Sequence, residues 1–471
     1  MKARTAFFLI LPLALCGSAR GQKEQPLPPG LPPYGPQPPL QLAEPRVSKL
    51  DNGLTVWLIS QPGLPKLAMV IAVRGGLAAD PPDRPGLSEL LGDTLDQGTK
   101  SRSARQIAEQ LQGAGGDFEA RASRDGITVS TSVLSADAET ALGILSDVVE
   151  NATFPENEVA LAKRNLSDSL KQRESEPGFL ANRALAKALF GDNPYGVVAP
   201  TEASVENTTA AQLRAEFARR FRPDEALFVA VGDFEPGKME SLLREKLGAW
   251  RAPQTPPVDE TPRPTTVAPH SVFLVPRAGS VQTTLVFGTV GPLASASDYE
   301  AAEVANAIYG GTFSSRLVTN IREDKGYTYS PASSLDTFRQ SSILRTQADV
   351  RNAVTAPSFN EVAYELNRMA TTDPTQEEIT KAKRYMQGIE AIILQLRSAV
   401  ARQLAENWML ELPPDQINLE NDKIQKVSAA DVDAVSQKYF PAMRMAIVAV
   451  GEEKIIRQAF APFGLPIQAV P

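Results

Sequence analysis

Three carboxylates, Glu89, Asp93 and Asp96, stand four and three residues apart, interleaved with Leu87, Leu90, Leu91 and Leu95 at helical spacing. On a helix such acids share one face, where an oxygen-only cation site is one available chemistry. The leucines make the opposite face apolar, which favours a plainer reading: an amphipathic helix whose acids meet water. Softer donors are scarce. The chain has one histidine, His270, and one cysteine, Cys16, so it cannot assemble a two-histidine zinc site or a paired-histidine catalytic centre alone. His270 follows Pro269 and reads as a linker residue entering a strand, with no chemistry assigned to it.

The elements that would hold such groups follow from length and composition. The chain has 471 residues, which at roughly 150 per domain allows about three domains or two large ones. It is 42% hydrophobic and 22% charged, which excludes a disordered chain and a multi-span membrane protein. With 48 basic against 55 acidic residues the net charge is −7, so a nucleic-acid partner is not expected. Residues 1–21 read as a signal peptide. Lys2 and Arg4 are followed by an apolar run of 11 residues, too short to span a bilayer, and then by the small residues of Ala19-Arg20-Gly21. Its removal leaves a chain at −10 without cysteine, which points to export into a bacterial periplasm. A second reading makes Cys16 a lipidated residue, although Leu15 is bulky where a small residue is usual.

Residues 22–45 read as a proline-rich, semi-rigid arm, with nine prolines among the 20 residues from position 26 to 45. A second proline cluster over residues 253–269 separates an N-terminal domain, 46–252, from a C-terminal one, 270–471. The two are expected to be repeats. Thr209-Ala210-Ala211-Gln212-Leu213, Phe221 and the run from Phe228 to Gly232 recur as Ser428-Ala429-Ala430-Asp431-Val432, Phe440 and Ile447 to Gly451, all offset by 219 positions, as are Pro155 and Pro374. Each half opens with strand signals, at residues 53–59 and 67–73 and again at 272–275 and 283–287. Long helical patterns follow over 158–173 and 377–403. The expected class is α+β, two homologous halves each with helices packed on one face of a sheet.

From about Arg46 to Phe463 the chain resembles the insulinase or pitrilysin-like zinc metallopeptidases, which include the mitochondrial processing peptidase. The resemblance rests on Leu50-Asp51-Asn52-Gly53-Leu54, Val73-Arg74-Gly75-Gly76, Pro81-Pro82 and Gly86-Leu87. It continues with Gly310-Gly311-Thr312-Phe313-Ser314-Ser315-Arg316-Leu317 and Arg322-Glu323-Asp324-Lys325-Gly326-Tyr327-Thr328-Tyr329. It implies a clam-like chamber between the halves. Active members carry H-x-x-E-H directly after the Gly-Leu, two histidines for zinc and a glutamate as general base. Here Glu89 and Asp93 hold the histidine positions and Gly92 that of the base. The third ligand, a glutamate eight residues before a proline, falls on Ser169 when counted from Pro177. The resemblance therefore implies a member with no metal of its own.

The family also implies an arginine and a tyrosine seven residues apart in the second half that reach the substrate; Arg322 and Tyr329 have that spacing. A guanidinium and a phenol suit the task, since both donate hydrogen bonds to a peptide carbonyl or a developing oxyanion. The plainer reading pairs Arg322 with Glu323 or Asp324 and puts Tyr329 in the core, and Tyr327 competes for the tyrosine's role. Two functions remain open. One is a non-catalytic subunit that lends Arg322, Tyr329 and half a chamber to a homologous partner bearing zinc, which hydrolyses peptide substrates. The other is a pseudo-peptidase that binds peptides or acts as a scaffold. An autonomous peptidase is not expected.

Overall fold

The computed structural model describes residues 41–257, 261–265 and 270–470. The signal peptide, nearly all of the proline arm and part of the second proline cluster lie outside them. The first half contains strands β1 (Arg46–Lys49), β2 (Thr55–Ser60), β3 (Lys66–Arg74), β4 (Glu119–Ala122), β5 (Gly126–Leu134) and β6 (Ala226–Gly232). Its helices are α1 (Leu87–Thr94), α2 (Ala104–Gly113), α3 (Ala138–Asn151), α4 (Glu156–Glu174), α5 (Pro177–Phe190), α6 (Glu202–Asn207), α7 (Ala210–Arg220) and α8 (Pro236–Leu247). The second half contains β7 (Val272–Pro276), β8 (Gln282–Val290), β9 (Ala332–Phe338), β10 (Ser341–Arg351), β11 (Ala446–Gly451) and β12 (Ile467–Ala469). Its helices are α9 (Tyr299–Asn306), α10 (Arg316–Val318), α11 (Thr355–Thr371), α12 (Gln376–Ile393), α13 (Arg397–Met409), α14 (Gln416–Lys426), α15 (Ala429–Tyr439) and α16 (Glu453–Phe460).

The two sheets have the orders β1-β2-β6-β3-β5-β4 and β12-β7-β11-β8-β10-β9. From the second strand inward these are the same topology. β6 runs parallel to β2 and antiparallel to β3, and β11 does the same with β7 and β8. The repeat extends to detail. Thr209 and Ser428, 219 residues apart, each close a capping box at the start of a helix, α7 and α15. Gly232 and Gly451 each end the strand that follows, at φ 147° and 156°. Only glycine fits the first of these, since a Cβ on Gly232 would stand 2.2 Å from the Lys66 carbonyl oxygen.

Each sheet carries its own half's helices on one face, as expected, with cores built around residues such as Leu91, Leu145 and Phe228, or Val304, Leu366 and Phe440. The opposite face is not open. Helix α13 of the second half lays Val400, Ala401, Leu404 and Ala405 on Trp57, Val70, Ala72 and Val229 of the first sheet. Helix α5 of the first half lays Ala181, Leu185, Ala186 and Leu189 on Val286, Ala446, Val448 and Val450 of the second. The halves thus close like the valves of a clam, each lending the other a helix. This explains the composition of β6 and β11, which are buried at every residue, as strands covered on both faces must be.

The expected helix over 377–403 is two helices, broken at residues 394–396 between α12 and α13. The corresponding break between α4 and α5 is announced by Pro177 at the first turn of α5. The later one has neither proline nor glycine, so the apolar pattern runs through it.

The exchange makes a directional prediction. Leu404 is fully buried on the other half's sheet, so Leu404→Ala is expected to cost about 2–5 kcal/mol in chemical denaturation. Hydrogen exchange should locate the loosening on β3 and β6. Loss of protection confined to the second half would contradict the exchange.

Candidate functional site

Helix α1 is set in place by a buried ion pair. Asp80 accepts from the backbone N–H of Gly86 at 3.0 Å and of Ser88 at 3.2 Å, and from the Ser88 hydroxyl at 2.5 Å. Behind it lies Arg220, whose Nη2 is 3.0 Å from Asp80 and whose Nη1 donates to the Gly75 carbonyl at 2.8 Å. Burial pushes the Asp80 carboxyl up, while the Arg220 charge and the Ser88 hydrogen bonds pull it down. Gly86 is required here. Its φ is 89°, and a Cβ would stand 2.3 Å from Pro200. The Gly75-Gly76 and Gly86-Leu87 motifs therefore aim α1 independently of any chemistry on it.

On α1 the four leucines are buried and the acids turn the other way. Glu89 is half-buried and pairs with Arg173 of α4, Oε1 to Nη1 at 3.1 Å. Arg173 lies one helical turn beyond Ser169, so α4 brings a guanidinium to α1 from next to the place where the third ligand would stand. Asp93 and Ser169 are exposed. Gly92 is buried, yet a Cβ there would have only the Ala122 nitrogen near it, at 3.8 Å. The backbone leaves room for a side chain at the base position and none is supplied.

These residues do not fit zinc. The donors are two carboxylates and a hydroxyl, with no imidazole, and a fixed cation is already paired with one carboxylate. Among the described residues no three histidine, cysteine, aspartate or glutamate side chains converge as a metal cradle. Although the Asp93 side chain reaches solvent, the protein mass around its carboxyl displaces water on the inner side, and this desolvation, with the neighbouring Glu89 charge, pushes it up to about 6; Arg173 opposes this and Asp96 adds to it.

The second group gathers around a turn flanked by two π-helical segments, Ala307–Gly311 and Thr319–Asp324, a rare geometry that recurs at functional sites. The Arg322 guanidinium lies between two rings, 4.4 Å from the centre of Phe313 and 4.7 Å from that of Tyr329. Its Nε is 3.1 Å from Glu323, which leaves the two Nη groups at its outer edge. Tyr329 is 79% exposed and Phe313 62%, so Tyr329 is no core residue. Tyr327 is half-buried, and its backbone N–H donates to the Ile321 carbonyl at 2.9 Å.

The neighbouring Ser315-Arg316-Leu317 is structural. Ser315 caps α10, and Arg316 grips Glu378 through Nε at 2.6 Å and Nη2 at 3.0 Å. Although burial opposes it, that grip, with the helix-capping hydrogen bonds from Thr375, holds the Glu378 carboxyl down at about 2. His270 bonds through Nδ1 to the Met445 carbonyl at 3.0 Å.

The structure thus brings Glu89, Gly92, Asp93 and Ser169 together on α1 and α4, and Arg322 with Tyr329 on the second half. No hydrogen bond, ion pair or ring contact among the described residues joins the two groups. Sequence reasoning missed Arg173 and Phe313. The first was findable as a cation four residues after Ser169, the second as an aromatic residue between threonine and serine in an otherwise polar turn.

Comparison with known proteins gives the family and the fold. The family model "Insulinase (Peptidase family M16)" matches residues 55–199, and "Peptidase M16 inactive domain" matches 207–386, together more than half of the chain. An uncharacterized zinc protease of Mycobacterium leprae is 27% identical over 373 residues, covering 78% of this chain and 81% of the relative. One of Bacillus subtilis is 25% identical over 388 residues, covering 82% and 92%. Among solved structures, a peptidase M16 inactive domain from Pseudomonas fluorescens superposes with a TM-score of 0.82 at 24% identity, covering 87% of this chain and 98% of that one. A chain of complex III2 from Candida albicans does so at 0.73 and 18% identity, covering 86% and 95%.

The Asp93 environment gives a signed prediction. With its native value near 6 and an ordinary value near 3.8, the native chain binds more protons than the unfolded one between these limits. Stability therefore falls as pH rises through that window and stays lower above it. Asp93→Asn should raise Tm at pH 7.5 and leave it unchanged near pH 3.5, with a modest shift because Asp93 meets solvent. Equal Tm changes at both pH values would refute this.

Proposed function

This chain belongs to the insulinase, or M16, peptidase family, and we propose that it is the non-catalytic subunit of an exported two-chain metallopeptidase of the bacterial periplasm. A homologous partner supplies zinc and the general base. This chain supplies Arg322, Tyr329 and half of the chamber around the peptide. One observation carries the reading: the Arg173 guanidinium is paired with the carboxylate at the first metal position, while Tyr329, which would meet substrate, is exposed and the half-buried Arg322 lies against its ring. A chain that had abandoned peptide chemistry altogether would have no use for a pre-set donor pair on its surface.

The physical role of the pair follows from its geometry. Phe313 and Tyr329 hold the Arg322 guanidinium in one plane, and Glu323 fixes its inner edge, so little ordering is left to be done when a carbonyl arrives. The free Nη groups and the Tyr329 hydroxyl then donate to the carbonyl oxygen, and the bonds strengthen as negative charge develops there. A zinc ion held by the partner would supply a metal's polarising charge, and the Arg322 and Tyr329 donors on this chain would add to it.

A second reading, a peptide-binding or scaffold protein without proteolysis, draws on the likeness to the complex III2 chain and on the Arg173–Glu89 pair alone. The two separate in a reconstituted complex with a zinc-bearing homologue. Removing one oxyanion donor costs about 3 kcal/mol, or roughly a hundredfold in rate. Tyr329→Phe should lose about that much turnover with assembly unchanged, Phe313→Ala should lose less by loosening Arg322, and Tyr327→Phe should be nearly silent. Unchanged turnover after both Arg322→Ala and Tyr329→Phe would favour the scaffold.

A further inference from the structure

Where the two halves meet, a cavity of about 340 Å³ is lined by six arginines, Arg74, Arg124, Arg219, Arg220, Arg222 and Arg339, against two carboxylates, Asp125 and Glu225. Five of these arginines come from the first half and Arg339 from the turn between β9 and β10 of the second. The proposed subunit function uses none of them. We propose that this cavity is a binding site for a compact, multiply charged oxyanion that bridges the two halves.

Five of the guanidinium groups are braced by carboxylates. Arg220 is held by Asp80 and Glu216, Arg219 by Glu216, and Arg222 by Asp224 at 2.6 Å. Arg74 stands 3.9 Å from Glu225 and 3.7 Å from Glu411, and Arg339 is 2.5 Å from Glu411. Four of the five bracing carboxylates, all but Glu225, are absent from the cavity lining. They hold the guanidinium groups in place; the nitrogens of Arg220 and Arg222 are spent on the protein itself, on Glu216, Gly75, Gly76, Ser88, Ala79 and Asp80 and on Asp224 and Thr255, so these two contribute charge from behind the wall and not donors, in a fixed arrangement that needs little reorganisation when an anion enters.

Arg124 is different. It donates through Nη1 to the Tyr195 carbonyl and lies 4.5 Å over the Phe338 ring of the other half. Among the described residues it forms no ion pair. Burial pushes its guanidinium down from the usual value, against the pull of Asp125, Tyr195 and Asp336. A desolvated cation of this kind gains most from an anion that replaces its lost water.

The lining also selects the ligand's chemistry. All six cations are arginine and none is lysine, which suits planar, bidentate recognition of phosphate or carboxylate oxygens. The apolar contribution is confined to Ala79, Pro256 and Pro257 with no aromatic ring, so nothing offers a stacking face for a base. The glycines of the Gly75-Gly76 motif are part of the wall. A Cβ on Gly76 would stand 2.1 Å from the Ser123 carbonyl oxygen, so the two walls approach this closely only with glycine there.

The mature chain, heated at constant ionic strength with increasing pyrophosphate, malonate or chloride, tests this. A saturable rise in Tm is expected with a multivalent oxyanion and not with chloride; pyrophosphate ahead of malonate would identify a phosphate ligand, and the reverse order a dicarboxylate. Arg124→Gln should raise the half-saturating concentration at least tenfold, Arg124→Lys should fall between it and the parent, and the exposed Arg164→Gln should match the parent. If Arg124→Gln does not fold, Arg124→Lys and equilibrium dialysis of labelled pyrophosphate or malonate against the parent chain decide, with one anion per chain expected. A non-saturating response shared by all three salts, dialysis without stoichiometric binding, or a saturable site indifferent to Arg124 would overturn the proposal.

Discussion

Two sheets that are apolar on both faces cannot stand in water alone, and this constraint orders the rest of the molecule. Each half has enough helices to cover one face of its sheet; the second face is covered chiefly by the helix the other half sends across, with side chains such as Leu42 and Ile417 or Ala78 and Tyr195 completing the cover. The fully buried runs of β6 and β11 and the buried faces of α5 and α13 are two sides of one requirement. Folding of either half is thereby tied to the other, and the pseudo-symmetry of the chain is maintained by packing, not by any shared active site.

The same constraint explains what the chain has kept and what it has lost. Gly76 and Gly86 are fixed by close approach and Gly75 by its φ of 91°, and Asp80 and Arg220 by a buried charge pair whose breakage would leave an uncompensated ion, typically costing about 3–5 kcal/mol. Glu89, Gly92, Asp93 and Ser169 are under no such restraint. Asp93 and Ser169 are exposed, and a Cβ at Gly92 would meet only the Ala122 nitrogen, at 3.8 Å, so these positions can vary without touching the frame. Arg173 closes the account electrostatically, setting a tethered cation against the carboxylate at the first ligand position.

Much of this was legible in the sequence because it depends on local rules. The 219-residue offset, the capping signals at Thr209 and Ser428 and the strand-ending glycines gave the repeat. The exchanged helices were not legible, because an apolar face on α13 looks the same whichever sheet it covers, and the break before it carries no proline. The Phe313–Arg322–Tyr329 stack was half legible. Spacing pointed to Arg322 and Tyr329, while the ring on the other side of the guanidinium depends on a turn between two π-helical segments that no local pattern announces.

The frame is intact and the carboxylate at the first metal position is paired with Arg173, and under the proposed function the remaining chemistry of the chain needs a second protein. Native mass spectrometry of the endogenously tagged chain, recovered with whatever it binds, tests that claim most directly. The predicted result is a one-to-one complex with a homologue, carrying a single zinc that leaves with the homologue when the two are separated. A chain recovered by itself with a zinc ion retained would contradict it.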